Sequence, residues 1–295
     1  MEMKKMAEEC PMKPGENLLD DPVAWGRELI RTHDHDPLYT GLWRYIQAGG
    51  QNQTERRDWV RRYMLAYWCC YSVGASAFLA SRTSAVSFWD WLDVAAENGD
   101  ATGPAALKVA PAERWPRAAE RRHWRGQKCV DSVAWLRERF PRPEDAVMSL
   151  EDLPGQLNLR AVELEVTSWP QFGPWIAFKA ADMLDRVLGV PVDFPTTITS
   201  MYRDPRKGAE MAGQLLGDLS PQGVTEHLLS AYAGQDAPPA GDRKVNVQEV
   251  ETVLCKWKSA RNGHYWIGKD TTHHRRELEL WGGHELLSCY PTPAA

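Results

Sequence analysis

The densest set of groups able to hold an anion is Arg121-Arg122-His123-Trp124-Arg125. On a helix, Arg121 and Arg125 would share a face at i, i+4 with Arg122 beside them. Such a face suits phosphate, although a solvated basic surface has the same composition. A second candidate is the break Ser168-Trp169-Pro170-Gln171-Phe172-Gly173. Pro174 fits the first turn of the helix that follows, and Gly173 leaves backbone N–H groups open to a phosphate at the positive end of that helix. Further along the same helix, Lys179, Asp182 and Arg186 fall at i, i+3 and i+7. They read either as a surface ion-pair ladder or as a lysine facing phosphate with an aspartate orienting it. Lys256, Lys258 and Arg261, interleaved with Trp257, Tyr265 and Trp266, form the best basic-aromatic stretch for contacting a nucleic-acid backbone.

Other clusters carry less. His33-Asp34-His35-Asp36 has the composition of a metal site but sits before Pro37 with no distant third partner, and His273-His274-Arg275-Arg276 suits phosphate or solvent better. The six cysteines include no CxxC pair and read as reduced thiols. Gly263 and Gly268 bracket a polar loop that could close over a cleft.

The elements positioning these groups are helical. Apolar positions recur with helical spacing from Pro22 to Ile46 (broken near Thr32–Pro37), Arg56 to Leu79, Ser87 to Asn98, Cys129 to Phe140, Leu159 to Val166, Trp175 to Leu188 and Ala209 to Ala233. Short helices are expected at Val245–Leu254 and Glu277–Leu287, and the Ala-, Gly- and Pro-rich stretch Gly99–Pro116 is expected as a loop. Strand alternation is scarce, so the fold class is mainly α. With 43% hydrophobic residues the chain can build a sizeable core, and its 14 Trp serve as core filler or as platforms for bases. A net charge of −5 argues against nonspecific coating of nucleic acid but tolerates a local basic strip. No apolar run reaches membrane-spanning length and no apolar signal core opens the chain, so a cytoplasmic protein without a membrane partner is expected. The expected layout is a flexible tail at 1–20, a helical core at 21–233 with its hairpin at 168–174, a linker at 234–243, and a C-terminal extension at 244–295 packing on the core.

The stretch Trp169-Pro170-Gln171-Phe172-Gly173, with Val192-Asp193-Phe194 after the second helix, resembles the helix-hairpin-helix DNA glycosylase superfamily. There the hairpin typically reads Leu-Pro-Gly-Val-Gly and a Val-Asp-Thr segment follows. The resemblance implies a two-lobed glycosylase-like fold with Asp193 as the catalytic carboxylate. Members that also cleave the strand carry a lysine two residues after the last hairpin glycine. Here that residue is Trp175, so Schiff-base lyase chemistry is not expected there.

Further segments are similar to the alpha-glutamyl/putrescinyl thymine pyrophosphorylases, also described as amino acid:DNA transferases of bacteriophages. They are Glu120-Arg121-Arg122-His123-Trp124-Arg125-Gly126, then Phe172-Gly173-x-Trp175-x-x-x-Lys179-x-x-Asp182, then Asp193, and Tyr202-x-Asp204-Pro205. This likeness runs from about Pro22 to Gly283. It implies a transferase that replaces the pyrophosphate of 5-pyrophosphoryloxymethyl-deoxyuridine in double-stranded DNA with an amine or amino acid, leaving a hypermodified thymine. In that scheme Asp193 and Lys179 are catalytic, and Arg121, Arg122, His123 and Arg125 hold the pyrophosphate. Phe172, Gly173, Trp175, Lys256, Lys258 and Arg261 contact DNA, and Trp169, Tyr202 and Asp204 border the pocket of the flipped base. The cofactor expectation is open: no dedicated metal set appears, and a cation at the hairpin or on pyrophosphate fits the scheme. A monomer acting in the host-cell cytoplasm is expected. The hairpin and aspartate equally suit a monofunctional glycosylase using Asp193 to activate water, and the hairpin alone suits a DNA-binding module without catalysis.

Overall fold

The computed structural model describes residues 16–82, 84–100, 115–116, 121 and 123–293. The expected tail up to residue 15, most of the expected loop at 101–114, and Arg122 lie outside the described residues. The fold is mainly α. In chain order the helices are α1 (Glu16–Leu19), α2 (Pro22–Arg31), α3 (Pro37–Gln47), α4 (Gln53–Cys70), α5 (Val73–Ala80), α6 (Ala85–Glu97), α7 (Gln127–Arg139) and α8 (Pro143–Glu151). They continue with α9 (Leu159–Val166), α10 (Pro174–Arg186), α11 (Ile198–Met201), α12 (Arg203–Leu215), α13 (Pro221–Tyr232), α14 (Val247–Arg261), α15 (Lys269–Trp281) and α16 (His284–Cys289). A two-residue parallel pair, β1 (Gly99–Asp100) with β2 (Trp115–Pro116), registers Gly99 against Trp115.

The chain divides into two compact units. Of the described residues, the first comprises those within 16–37, 194–272 and 291–293, and the second those within 38–193 and 273–290. This partition does not follow the expected order of core, linker and extension, because packing joins segments distant in sequence. In the first unit α2 and α12–α14 share a core containing Trp25, Leu29, Ala209, Leu228, Tyr232, Leu254 and Trp257. Helix α14, expected as part of an extension, is therefore central. Its partner α12 comes so close that a Cβ on Gly208 would lie 2.2 Å from the Leu254 carbonyl oxygen. The segment expected as a linker, 234–243, also belongs to this unit. Ala237 N–H donates to Arg243 O (2.9 Å) and Val245 N–H to Gln235 O (3.0 Å).

In the second unit the run expected as one helical stretch, Arg56 to Leu79, is two helices. Helix α4 ends in Tyr71, which takes the left-handed conformation (φ 51°, ψ 38°), and Ser72 caps α5 by accepting from Ala75 N–H. Neither glycine nor proline marks this break, so the apolar spacing runs through it. The last turns of α4, from Tyr63 to Cys70, are wholly buried. On its more exposed first half, Arg61 pairs with Asp58 and Glu151 at 2.6 and 2.7 Å.

Candidate active site

The hairpin is built entirely within the second unit. Asn158 caps α9 by accepting from Ala161 N–H at 3.0 Å, and Gly173 precedes Pro174 at the start of α10. Between them the chain turns tightly: Trp169 N–H donates to Val166 O and Phe172 N–H to Trp169 O, both at 3.1 Å. Gln171 takes φ 67°, a left-handed conformation, at the position where the resembled hairpin carries glycine. Gly173 itself is extended (φ −120°), and a Cβ there would meet nothing within 4 Å.

Aromatic packing fixes the turn. Trp169 is 1% exposed; its ring lies 5.4 Å from those of Phe140 and Phe172, and its Nε1 donates to Glu165. Trp169 and Phe172 are thus core anchors of the turn. Trp175 is half-exposed, 4.8 Å from the ring of Tyr71.

Asp193 is placed by the return of the chain after α10. Gly189 adopts φ 67°, the left-handed turn that glycine permits after a helix, and Val190 N–H donates back to Leu184 O at 3.0 Å. The chain then pairs with the start of the hairpin: Asp193 N–H donates to Leu157 O and Asp193 O accepts from Leu159 N–H, both at 2.9 Å. The backbone of Asp193 is therefore pinned to the entrance of α9 while its side chain is exposed.

The arginine cluster differs from expectation. Residues 121 and 123–126 form a turn, with Trp124 N–H donating to Arg121 O, so the shared helical face of Arg121 and Arg125 does not exist. Arg121 is 2% exposed. Its Nε donates to Cys69 O at 3.2 Å and its Nη1 to Gln171 O at 3.0 Å, while its guanidinium lies over the rings of Phe172 and Trp124. It ties the end of α4 to the hairpin turn. His123 and Arg125 are exposed.

On α10, the surface-ladder reading of Lys179, Asp182 and Arg186 is wrong, because this stripe is buried. Their side chains are 9%, 0% and 0% exposed, with Lys179 Nζ 4.0 Å and Arg186 Nη1 3.5 Å from the Asp182 carboxylate. Arg186 also lies over the ring of Tyr39, and Lys179 over that of Phe178. Trp175, Lys179, Asp182 and Arg186, at i, i+4, i+7 and i+11, make one stripe running inward from the hairpin.

The remaining expected residues belong to the first unit. Lys258 donates to Asp204 at 2.8 Å, and this hydrogen bond holds the Asp204 carboxyl below the usual range. Arg261 pairs with Asp20 at 2.5 Å, and Lys256 with Asp270 at 2.7 Å. Each of these three cations, expected as DNA contacts, has a carboxylate partner. Tyr202 is half-exposed at the start of α12.

The sequence reading missed the role of Asp34. Its buried carboxylate accepts from Thr271 N–H (2.9 Å), Thr271 Oγ1 (2.7 Å), Gly268 N–H (2.8 Å) and the Tyr265 hydroxyl. It caps the N-terminus of α15 from afar, and its backbone oxygen accepts from Lys256 Nζ at 2.6 Å. The loop between Gly263 and Gly268, expected to close over a cleft, is thereby tied down. Asp34 itself is occupied as a helix cap, which removes it from the metal cluster its neighbours suggested. Among the described residues no group of three or more His, Cys, Asp or Glu is placed to hold a metal. A cation at the hairpin does not fit either. The Pro170 carbonyl accepts from Ser132 Oγ at 2.6 Å and the Gln171 carbonyl from the Arg121 guanidinium, which already places positive charge at the turn.

The arrangement is a buried Lys179–Asp182–Arg186 stripe behind a helical hairpin, with the exposed Asp193 pinned at the hairpin's start. Residues 30–264 match the family model described as amino acid:DNA transferase, and the chain belongs to this family. It is a transferase. It is 39% identical over 284 residues to a protein named glycinyltransferase from Pseudomonas phage PaMx11, a match covering 87% of this chain and 89% of the relative. It is 29% identical over 275 residues to a putrescinyltransferase from Delftia phage PhiW-14, covering 89% of this chain and 80% of the relative. No described helix is long and apolar enough to cross a membrane.

Proposed function

We propose that this transferase replaces the pyrophosphate of 5-pyrophosphoryloxymethyl-deoxyuridine in DNA with an amine, and that the amine is glycine. The choice of donor rests on the higher identity to the glycinyltransferase than to the putrescinyltransferase. Bond by bond, the amine nitrogen forms a C–N bond to the methylene on C5. The C–O bond to pyrophosphate breaks, pyrophosphate leaves with the electron pair, and the surplus amine proton passes to Asp193. The glycosidic bond stays intact.

The observation that carries this reading is the exposed Asp193 carboxylate on a backbone fixed at both N–H and C=O to the start of α9. A general base needs that combination of access and fixed placement. Left-handed Gln171 at the glycine position of the pattern supports reading α9, the turn and α10 as the hairpin of a glycosylase-like fold. Phosphate is met by the open backbone at Gly173 and by exposed His123 and Arg125, while Lys179, buried beside Asp182, adds its charge only from within α10. Arg121 acts mainly by holding the turn.

The test is mass spectrometry of nucleosides from DNA carrying the pyrophosphorylated base, incubated with protein and either glycine or putrescine. Conversion to a glycine adduct with release of pyrophosphate is expected. A free base with an abasic site supports the glycosylase reading instead. Persistence of the pyrophosphorylated base with every amine, while the folded protein binds the DNA, rules out the transfer.

A further inference from the structure

Tyr71 is an expensive way to end a helix. It closes α4 in the left-handed conformation (φ 51°, ψ 38°), where a Cβ is strained and glycine is the favoured residue. The cap it provides is a backbone hydrogen bond, Tyr71 N–H to Tyr67 O, which needs no side chain. Residues held in such conformations concentrate where the side chain has work to do.

Its ring is half-exposed and lies 4.4 Å from the ring of Tyr67 and 4.8 Å from that of Trp175. Tyr71 and Trp175 are tilted by 57°, so the two half-exposed rings do not stack face to face on one another. Trp175 is the second residue of α10, two positions from Gly173 and its open backbone. Arg121 fixes the relation of the two elements, since it holds Cys69 O two residues before Tyr71 and Gln171 O four residues before Trp175.

We propose that Tyr71 and Trp175 form an angled aromatic platform, with a nucleobase of the DNA substrate stacking on the Tyr71 ring and Trp175 against its edge, while the adjoining phosphate meets the hairpin at Gly173. This rests on the DNA-transferase reading above. Every base has a π face, so the platform supplies affinity and placement rather than sequence readout.

The test measures binding of a fluorescein-labelled duplex with a central 5-hydroxymethyluracil by fluorescence anisotropy across a salt series. Tyr71→Asn removes the ring while tolerating the left-handed backbone, and Tyr71→Gly, the residue that backbone prefers, is a second ring-free variant. Thermal melts select whichever is folded. The folded ring-free variant is expected to bind on the order of ten- to a hundredfold more weakly with an unchanged salt slope, and Tyr71→Phe to restore binding. Wild-type affinity in the ring-free variant overturns the platform, as does a loss accompanied by a shallower salt slope, or Tyr71→Phe binding no better than Tyr71→Asn. A wild-type protein that does not bind the duplex at all overturns the DNA reading itself.

Discussion

Asp182 sits with no solvent exposure between Lys179 and Arg186, and its charge helps to make two buried cations tolerable on one helix. Removing it as Asp182→Ala leaves both without their shared carboxylate. Urea unfolding should show a loss of about 3–5 kcal/mol, far beyond that of an exposed ion pair. At Lys256, burial opposes the charge, but Asp270, Asp34 and Asp36 outweigh it and raise its pKa above the ordinary 10.5. Burial, with Asp270 and Asp34, likewise raises Tyr265 well above 10.0. Both folded-state values lie above the unfolded ones, so their contribution is complete below pH 10 and is lost as pH rises through the folded values. The melting temperature should therefore fall on the alkaline side of pH 10, and Lys256→Met should flatten part of that fall. Little of this was legible residue by residue. Arg121 could be recognised as a cation, but its partners are carbonyls of Cys69 and Gln171, about fifty residues away on either side. Asp34 looked like a metal ligand because the donors that occupy it lie beyond residue 264.

At the scale of elements, two glycines give opposite expectations. Gly208 lets α12 and α14 touch, and Gly208→Ala would drive a methyl into the Leu254 carbonyl at 2.2 Å, where backbone rather than a flexible side chain must move. A cost of roughly 1–3 kcal/mol is expected, read as a lower denaturation midpoint. Gly173→Ala meets open space in an ordinary extended conformation, so stability should hold within about 0.5 kcal/mol. What should suffer is DNA binding, because a methyl there keeps phosphate from the backbone, and anisotropy titration separates the two effects. The hairpin was readable in advance because proline and glycine punctuate it: Pro174 opens α10 and Gly189 closes it. The break after α4 was not readable, since Tyr71 turns the chain without either residue. Nor was the burial of the Lys179 stripe. Polar residues at helical spacing read as a surface, and contacts such as the Tyr39 ring come from far along the chain.

Over the whole molecule, helical content followed directly from apolar spacing, whereas the partition into units did not. Segments 16–37 and 194–272 compose one unit because Trp25, Leu29, Tyr232 and Trp257 bury one another, which no local pattern announces. The functional account depends most on Asp193, whose backbone is bonded at both N–H and C=O and whose side chain is exposed. The most direct measurement compares wild type and Asp193→Asn for conversion of pyrophosphorylated hydroxymethyluracil DNA to its glycine adduct, by nucleoside mass spectrometry, with melting temperature and DNA affinity measured alongside. The account predicts unchanged melting and affinity with transfer reduced on the order of 100- to 10,000-fold, the contribution of a positioned general base. Transfer at the wild-type rate by a folded Asp193→Asn protein would contradict it.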